Sequence, residues 1–217
     1  HDFGKAVTVE RLREICMDLV AQGAHNINFV NPTHYAHVVT RLLKEYRPGV
    51  PVVWNSSGYE RLETLKMLRC KVQVYLPDLK YALPEPAGKY SAAADYFDWA
   101  SEAILEMFRQ TGPYRMENGQ LKSGVLIRHL LLPGELENTR RVIDWVAETF
   151  RPGDVLFSLM SQYTPQPGAE GKLARQVTKA EYRAAVGMGL PVLSRADLLG
   201  AVCDEFPARI GVAGSHG

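Results

Sequence analysis

The sequence lacks the cysteine patterns that bind metal ions or form a disulfide framework. Its 217 residues include three cysteines, Cys16, Cys70 and Cys203, which lie far apart and form no CxxC pair. Scattered cysteines are typical of small buried apolar positions in proteins of a reducing compartment. No secretory apolar segment opens the sequence, so we expect a cytoplasmic protein.

Surplus charge and long apolar runs are also missing. The sequence has 25 basic and 24 acidic residues, so no basic field indicates nucleic-acid binding. No apolar run reaches the roughly 18 residues that a membrane helix needs. A content of 46 % hydrophobic and 23 % charged residues is typical of a globular protein, and we expect one domain over residues 1–217.

Several catalytic motifs are absent. The sequence contains no GxSxG, GxGxxG or GxxxxGK, so it supports neither a hydrolase nucleophile turn nor a phosphate-binding loop. His34 and His37 are spaced by three near a predicted helix start. Without an HExxH motif or a cysteine pair, they give a zinc site little support.

Short apolar segments alternate with helical patterns along the whole sequence. Strands are predicted at 27–30, 51–54, 71–76, 124–132 and 154–160, with a weak one at 190–193. Helices are predicted at 8–22, 34–46, 59–69, 92–110, 136–150, 179–188 and near 195–204. Residues 81–91 and 164–178 show no clear periodicity and are expected to be loops. This alternation predicts an α/β fold with a parallel sheet, either doubly wound or barrel-like.

Polar residues follow the predicted strands. In the segment "VYLPDLKY", side-chain alternation would place Val72, Val74, Leu76, Asp78 and Lys80 on one face, with the charged pair at the strand end. The other strands end in "NPTHY", "NSSGY" and "SQYTP", and Arg128 lies within an apolar strand. Because carboxyl ends of parallel strands form ligand sites, we expect a site at this edge.

Simpler explanations for these residues remain open. Asp78 and Lys80 would form a local ion pair in one alternative. In a second, Arg128 pairs with a helix carboxylate behind its strand. In a third, "NPTH" only begins a helix.

Five ordered segments together resemble one family. "GAHNINFVNPTHY", "PVVWNSSGYE", "VYLPDLKY", "GVLIRHLLLPG" and "SLMSQYTP" look like the radical S-adenosylmethionine proteins close to the pyruvate formate-lyase-activating enzymes. The resemblance covers roughly residues 5–195. It implies a partial (β/α)6 TIM-like barrel in which a CxxxCxxC loop holds a 4Fe–4S cluster that binds S-adenosylmethionine.

This sequence departs from the family pattern because it has no CxxxCxxC. Its five clear strands would correspond to the second to sixth strands of the family, with the first strand and the cluster loop missing. The sequence would then be a fragment of a longer protein, which we expect, or a degenerate copy.

The resemblance assigns cofactor contacts to eleven residues. The expected S-adenosylmethionine contacts are Asn31, Thr33, His34, Asn55, Ser56, Asp78, Lys80, Arg128, Leu130, Gln162 and Tyr163. The first three occupy the slot of a glycine-rich motif that touches the methionine amino group. Asn55 and Ser56 match the segment near the methionine carboxylate, and the "DLK" motif matches in type. Arg128 and Leu130 would lie near the ribose and adenine, and Gln162 and Tyr163 near the adenine.

The implied activity is reductive cleavage of S-adenosylmethionine to a 5′-deoxyadenosyl radical, which abstracts hydrogen from a glycyl-radical-type partner protein or a small molecule. The full-length protein would carry the 4Fe–4S cluster, and this chain alone would be inactive. Two alternatives are a clusterless barrel that serves as a binding or scaffold module, and an unrelated α/β-barrel enzyme.

Overall fold

Parallel strands joined by helices make up most of the computed structural model, which describes residues 5–189. The strands are β1 (Ile27–Val30), β2 (Val52–Ser56), β3 (Val74–Pro77), β4 (Arg115–Glu117), β5 (Gln120–Leu130) and β6 (Leu156–Met160). The helices are α1 (Val9–Ala21), α2 (Ala36–Glu45), α3 (Leu62–Leu68), α4 (Pro84–Ser91), α5 (Tyr96–Thr111), α6 (Leu136–Thr149) and α7 (Lys179–Val186), with short 3-10 helices at Thr33–Tyr35 and Gly171–Ala174. None of the helices described between residues 5 and 189 has the length and apolar character to cross a membrane.

The strand order distinguishes a barrel from a doubly wound sheet. The parallel strands β1, β2, β3, β5 and β6 pair in chain order, and β4 joins β5 as an antiparallel hairpin. In a doubly wound sheet the order of the strands reverses at a switch point, whereas in a barrel each strand pairs with the one before it in the chain. Among the described strands, β1 pairs only with β2 and β6 only with β5, so the sheet is open. This arrangement confirms the predicted partial barrel.

The two faces of the sheet have separate apolar clusters. The larger cluster packs the sheet against the helices and includes Trp54, Tyr75, Ile104 and Ile127, all with 0 % exposure. The opposite face, which we call the inner face, carries a smaller cluster of Val53, Val74, Leu76, Leu121 and Leu126. Neighbouring residues alternate between the clusters because successive side chains of a strand point to opposite faces.

Capping residues set the ends of two helices. The Thr8 hydroxyl accepts a hydrogen bond from the Arg11 N–H at 3.2 Å and so caps α1. Gly23, with a φ of 92°, follows the end of that helix. Thr178 and Glu181 form a reciprocal capping box at the start of α7.

Three predictions of local structure were wrong. Residues 81–91 are not all loop, because α4 begins at Pro84, where a missing N–H is tolerated. Only Pro86 and Ala87 are buried in this short helix, so it leaves little apolar periodicity. Val72 packs in the helix-facing cluster because β3 begins only at Val74.

The third error was the missed hairpin of β4 and β5. Asn118 and Gly119 connect these strands with φ values of 51° and 75°. The Asn-Gly dipeptide is a strong hairpin signal because both positions need positive φ. The strand predicted at 190–193 and the helix near 195–204 lie outside the described residues.

A buried histidine links β5 to two neighbouring elements. The Nδ1 atom of His129 lies 2.7 Å from the Leu79 carbonyl oxygen, and Nε2 lies 2.9 Å from the Thr139 hydroxyl on α6. Since a carbonyl only accepts, Nδ1 carries the proton and the Thr139 hydroxyl donates to Nε2. Burial lowers the pKa of His129 to about 4.

This lowered pKa predicts acid-sensitive stability. Unfolded His129 would have a pKa near 6.5, so between pH 6.5 and 4 the unfolded chain binds the extra proton. The free energy of unfolding should therefore fall as pH falls through this window, by at most about 1.4 kcal/mol per pH unit. Urea melts of wild type and His129→Gln between pH 4 and 7.5 measure the slope, which the variant should reduce.

His37→Gln is the matched control, since that histidine is exposed on α2. It should keep the wild-type slope. Equal slopes for wild type and His129→Gln would contradict the role assigned to the buried ring.

Candidate functional site

Predicted site residues lie at the carboxyl ends of the parallel strands. Asn31 follows β1, Asn55 lies near the end of β2, Asp78 follows β3 and Arg128 lies near the end of β5. Because these strands run parallel, their carboxyl ends share one edge of the sheet, which we call the rim. Asn55 and Arg128 are each two residues beyond a member of the inner cluster, so they belong to the inner face.

Arg128 connects three strands at the rim. Its Nη2 atom lies 2.7 Å from Oδ1 of Asp78 and donates to Oδ1 of Asn55 at 2.7 Å. The Arg128 and Asp78 side chains are 21 % and 24 % exposed, so this ion pair is partly shielded from water. Arg128 therefore pairs with a neighbouring strand end rather than with a helix carboxylate.

Lys80 is not the ion-pair partner of Asp78. Within residues 5–189, no carboxylate lies within 4.0 Å of its ammonium group. Its backbone is fixed, since the N–H donates to the Tyr96 hydroxyl at 3.0 Å and the carbonyl accepts from Asn138 at 3.1 Å. The structure thus holds a partly exposed cation without a described carboxylate partner two residues after Asp78.

Two inner-face residues escaped the sequence analysis. Ser158 on β6 is the register partner of Arg128 and has 0 % exposure. Its hydroxyl, the Nε atom of Arg128 and the Oδ1 atom of Asn28 are buried without a hydrogen-bond partner among the described residues. Since buried polar atoms usually have partners, these three atoms lack hydrogen bonds that the fold would be expected to supply. A serine inside an apolar strand gave no signal in the sequence.

A buried carboxylate engages two of the predicted site residues. Glu60 is 3 % exposed and accepts hydrogen bonds from the Thr33 hydroxyl at 2.7 Å, the Trp54 indole at 2.9 Å and the Ser56 hydroxyl at 3.0 Å. Burial raises the pKa of Glu60, against the opposing effect of these three donors. Thr33 and Ser56 therefore direct their hydroxyls to Glu60 and join the segments after β1 and β2.

Glu60 had no signal in the sequence. It precedes α3 in a polar stretch, where an exposed carboxylate is ordinary.

Tyr96 and Gly58 hold the rim between β2 and β3. The Tyr96 hydroxyl lies 2.7 Å from the carbonyl oxygens of both Ser57 and Asp78. Gly58 has a φ of 78°, and a Cβ atom there would overlap the Asp78 carbonyl oxygen. The segment after β2 can therefore approach the end of β3 only because residue 58 is glycine.

The other predicted residues have varied surroundings. Asn31 has a φ of 49° and its N–H donates to the Asn55 carbonyl at 2.8 Å. His34 and Gln162 are exposed, and Leu130 pairs with Met160 at the end of the sheet. The Tyr163 hydroxyl donates to the Leu173 carbonyl at 2.9 Å, so it holds the loop after β6.

The described residues do not fit a metal cluster. Among residues 5–189, no group of three or more histidine, cysteine, aspartate or glutamate side chains could hold a metal ion. Cys16 is buried and Cys70 is exposed, and Cys203 lies outside the described residues.

Comparison with solved structures finds a similar fold. A domain of pyruvate-formate lyase-activating enzyme from Bacteroides vulgatus aligns with a TM-score of 0.53 and 12 % identity, over 79 % of this chain and 98 % of that domain. Methylornithine synthase aligns with a TM-score of 0.49 and 14 % identity, over 85 % of this chain and 53 % of the synthase.

Sequence comparison finds relatives that match only part of this chain. An uncharacterized protein of Methanocaldococcus jannaschii is 28 % identical over 144 residues, which span 65 % of this chain and 38 % of that protein. A UDP-N-acetylmuramate–L-alanine ligase of Acaryochloris marina is 51 % identical over 37 residues, which span 17 % of this chain and 8 % of the ligase. No family model matches the chain.

The chain therefore shares its fold with the domain of pyruvate-formate lyase-activating enzyme. This likeness bears out, at the level of the fold, the resemblance to the radical S-adenosylmethionine proteins. The comparisons do not favour a scaffold module or an unrelated barrel enzyme.

The Glu60 network predicts a large stability difference between two variants. Glu60→Ala would leave three donors without their acceptor and should lower the free energy of unfolding by about 3 kcal/mol. Glu60→Gln keeps the shape and one acceptor oxygen, so we expect a loss nearer to about 1 kcal/mol. Urea melts at neutral pH measure both.

Glu63→Ala is the control, because Glu63 is an exposed residue of the first turn of α3. It should change stability by no more than about 0.5 kcal/mol. A Glu60→Ala loss as small as that of the control would show that the network does not support the rim.

Proposed function

We propose that the rim binds S-adenosylmethionine, and that the chain is the barrel part of a radical S-adenosylmethionine enzyme similar to the pyruvate-formate lyase-activating enzymes. The observation that carries this proposal is Lys80, a cation without a described carboxylate partner that follows Asp78 of the Asp78–Arg128 pair by two residues. The shared fold supports the general enzyme class.

The chemistry of the rim suits the methionine part of this cofactor. That part carries a carboxylate and an ammonium group, which need a cation and an anion respectively. Lys80 would bind the carboxylate. Asp78 would accept from the ammonium group through Oδ2, since its Oδ1 atom faces Arg128.

The buried donors of the inner face suit an uncharged oxygen-bearing part of the cofactor. Arg128 Nε and the Ser158 hydroxyl are neighbours across β5 and β6 and have no described partner. A hydroxyl or carbonyl oxygen of the cofactor that reached the inner face at this point would give both groups the partner they lack. We therefore assign this part of the rim to the sugar of the cofactor.

The described residues do not supply the iron–sulfur cluster. A 4Fe–4S cluster is held by cysteine thiolates, and the described part of the chain offers no such group. Such a cluster, where bound, would supply the electron for reductive cleavage of S-adenosylmethionine. We propose that these 217 residues contribute cofactor binding, are inactive alone, and rely on cluster ligands elsewhere in the complete protein. A glycyl-radical-type protein or a small molecule would be the hydrogen donor.

Loss of Lys80 should weaken cofactor binding more than folding. If its ammonium meets a shielded carboxylate, Lys80→Ala removes a charge-assisted bond of about 1.5–3 kcal/mol, or roughly ten- to a hundredfold in affinity. A surface charge without such a role would contribute less than about 1 kcal/mol. Calorimetric titration of S-adenosylmethionine into the complete protein measures the affinity, and a urea melt measures the stability of each variant.

Asp78→Asn should also weaken binding because it keeps the shape and removes the charge. Lys66→Ala is the control, since Lys66 is exposed at the end of α3. If both rim variants bind S-adenosylmethionine with unchanged affinity but have lowered urea midpoints, Lys80 and Asp78 stabilise the fold and do not bind the cofactor.

The chain of 217 residues should not assemble a 4Fe–4S cluster, because its sequence contains no CxxxCxxC motif. Anaerobic reconstitution followed by iron and sulfide analysis measures this property. Near-stoichiometric binding of about four irons per chain, the content of one cluster, would contradict the expectation.

A further inference from the structure

A second candidate binding site lies at the opposite edge of the sheet. A cavity of about 320 Å³ opens at the amino ends of β2 and β3, where Val52 and Gln73 line it. We call it the basal cavity. Its volume is within the usual range for small-molecule sites. It shares no lining residue with the rim site, which lies at the carboxyl ends of the same strands.

The basal cavity concentrates positive charge. Arg47, Lys71, Arg115 and Lys122 line it, and Glu117 is the acidic residue among its lining side chains. Arg115 Nη1 lies 2.7 Å from Glu117 Oε1, so this pair is locally neutral. In the described part of the chain, no carboxylate lies within 4.0 Å of the other three cations.

This surplus is local, because the whole sequence has 25 basic and 24 acidic residues. Like charges around one concavity repel each other, and an anion inside it would offset this repulsion by attracting each of the cations.

Neutral acceptors hold two of these cations in place. The Lys71 ammonium donates to the Met67 carbonyl at 2.8 Å, and the Lys122 ammonium donates to Oε1 of Gln120 at 2.7 Å. An ammonium group has three donors, so each lysine keeps hydrogen-bonding capacity for a ligand. Because the acceptors are uncharged, they fix the lysines without neutralising them.

Apolar groups line the rest of the basal cavity. Leu43, Tyr46, Val50 and Val52 contribute to its walls, together with the prolines on either side of Gly49 and Val50. A site that combines such walls with several cations suits a ligand with an anionic end and an apolar or aromatic body. A phosphate group matches three cations better than a single carboxylate does, because it carries more charge and more acceptor oxygens.

We propose that the basal cavity binds a small organic phosphate with an apolar or aromatic body. Arg47, Lys71 and Lys122 bind the phosphate, and the apolar walls contact the body. This proposal does not depend on S-adenosylmethionine binding at the rim, because the two sites lie at opposite edges of the sheet.

Calorimetric titration of the complete protein with ADP and with inorganic pyrophosphate tests the proposal. We expect submillimolar binding of ADP, weaker binding of pyrophosphate, and at least tenfold weaker ADP binding in Arg47→Gln/Lys122→Gln. Lys66→Gln and Lys80→Ala are controls outside the cavity and should bind ADP like wild type. Saturating S-adenosylmethionine should leave ADP binding unchanged.

Four results would overturn the proposal. These are absence of ADP binding at millimolar concentration, equal ADP binding by the double variant, displacement of ADP by S-adenosylmethionine, and binding of long polyanions such as RNA without binding of ADP. Equal affinity for ADP and pyrophosphate would overturn the assignment of the apolar walls to the ligand body. A urea melt of the double variant ensures that lost binding is not lost folding.

Discussion

Buried hydrogen bonds on the helix-facing side determine the shape of the rim. Glu60 joins the segments after β1 and β2, and Tyr96 joins those after β2 and β3. Asn138 accepts from the N–H groups of Ala82 and Leu83 and donates to the Lys80 carbonyl. Because a buried polar group that loses its partner is costly, each bond resists movement of the strand end that it holds.

This arrangement separates the groups that support the rim from the groups that we propose to bind the cofactor. Successive residues of a strand point to opposite faces, so Trp54 and Ser56 serve the Glu60 network while Asn55 between them serves Arg128. The inner face can therefore carry partly unsatisfied groups, such as Arg128 Nε and the Ser158 hydroxyl, without loosening the loops around them. A cofactor site needs such groups on a rigid frame, since ordering them at binding would cost affinity.

Sequence patterns predicted the features that depend on local chemistry. The alternation of strands and helices predicted a parallel sheet with Asp78 and Arg128 at the same edge. In the structure Arg128 Nη2 lies 2.7 Å from Asp78 Oδ1. Lys80 could not be distinguished from an ion-pair partner of Asp78, because that distinction depends on a strand about fifty residues away. Glu60 and Ser158 were missed for the same reason: ordinary polar residues become unusual only when the fold buries them. The short helix α4 was missed because few of its residues are buried.

The central claim is that the methionine part of S-adenosylmethionine binds at Lys80, beside the Asp78–Arg128 pair. The most direct test is a crystal structure of the complete protein with bound S-adenosylmethionine. The account predicts the methionine carboxylate within hydrogen-bond distance of the Lys80 ammonium, with an oxygen of the cofactor near Arg128 Nε or the Ser158 hydroxyl. A cofactor bound elsewhere, or bound with Lys80 directed into solvent, would contradict it.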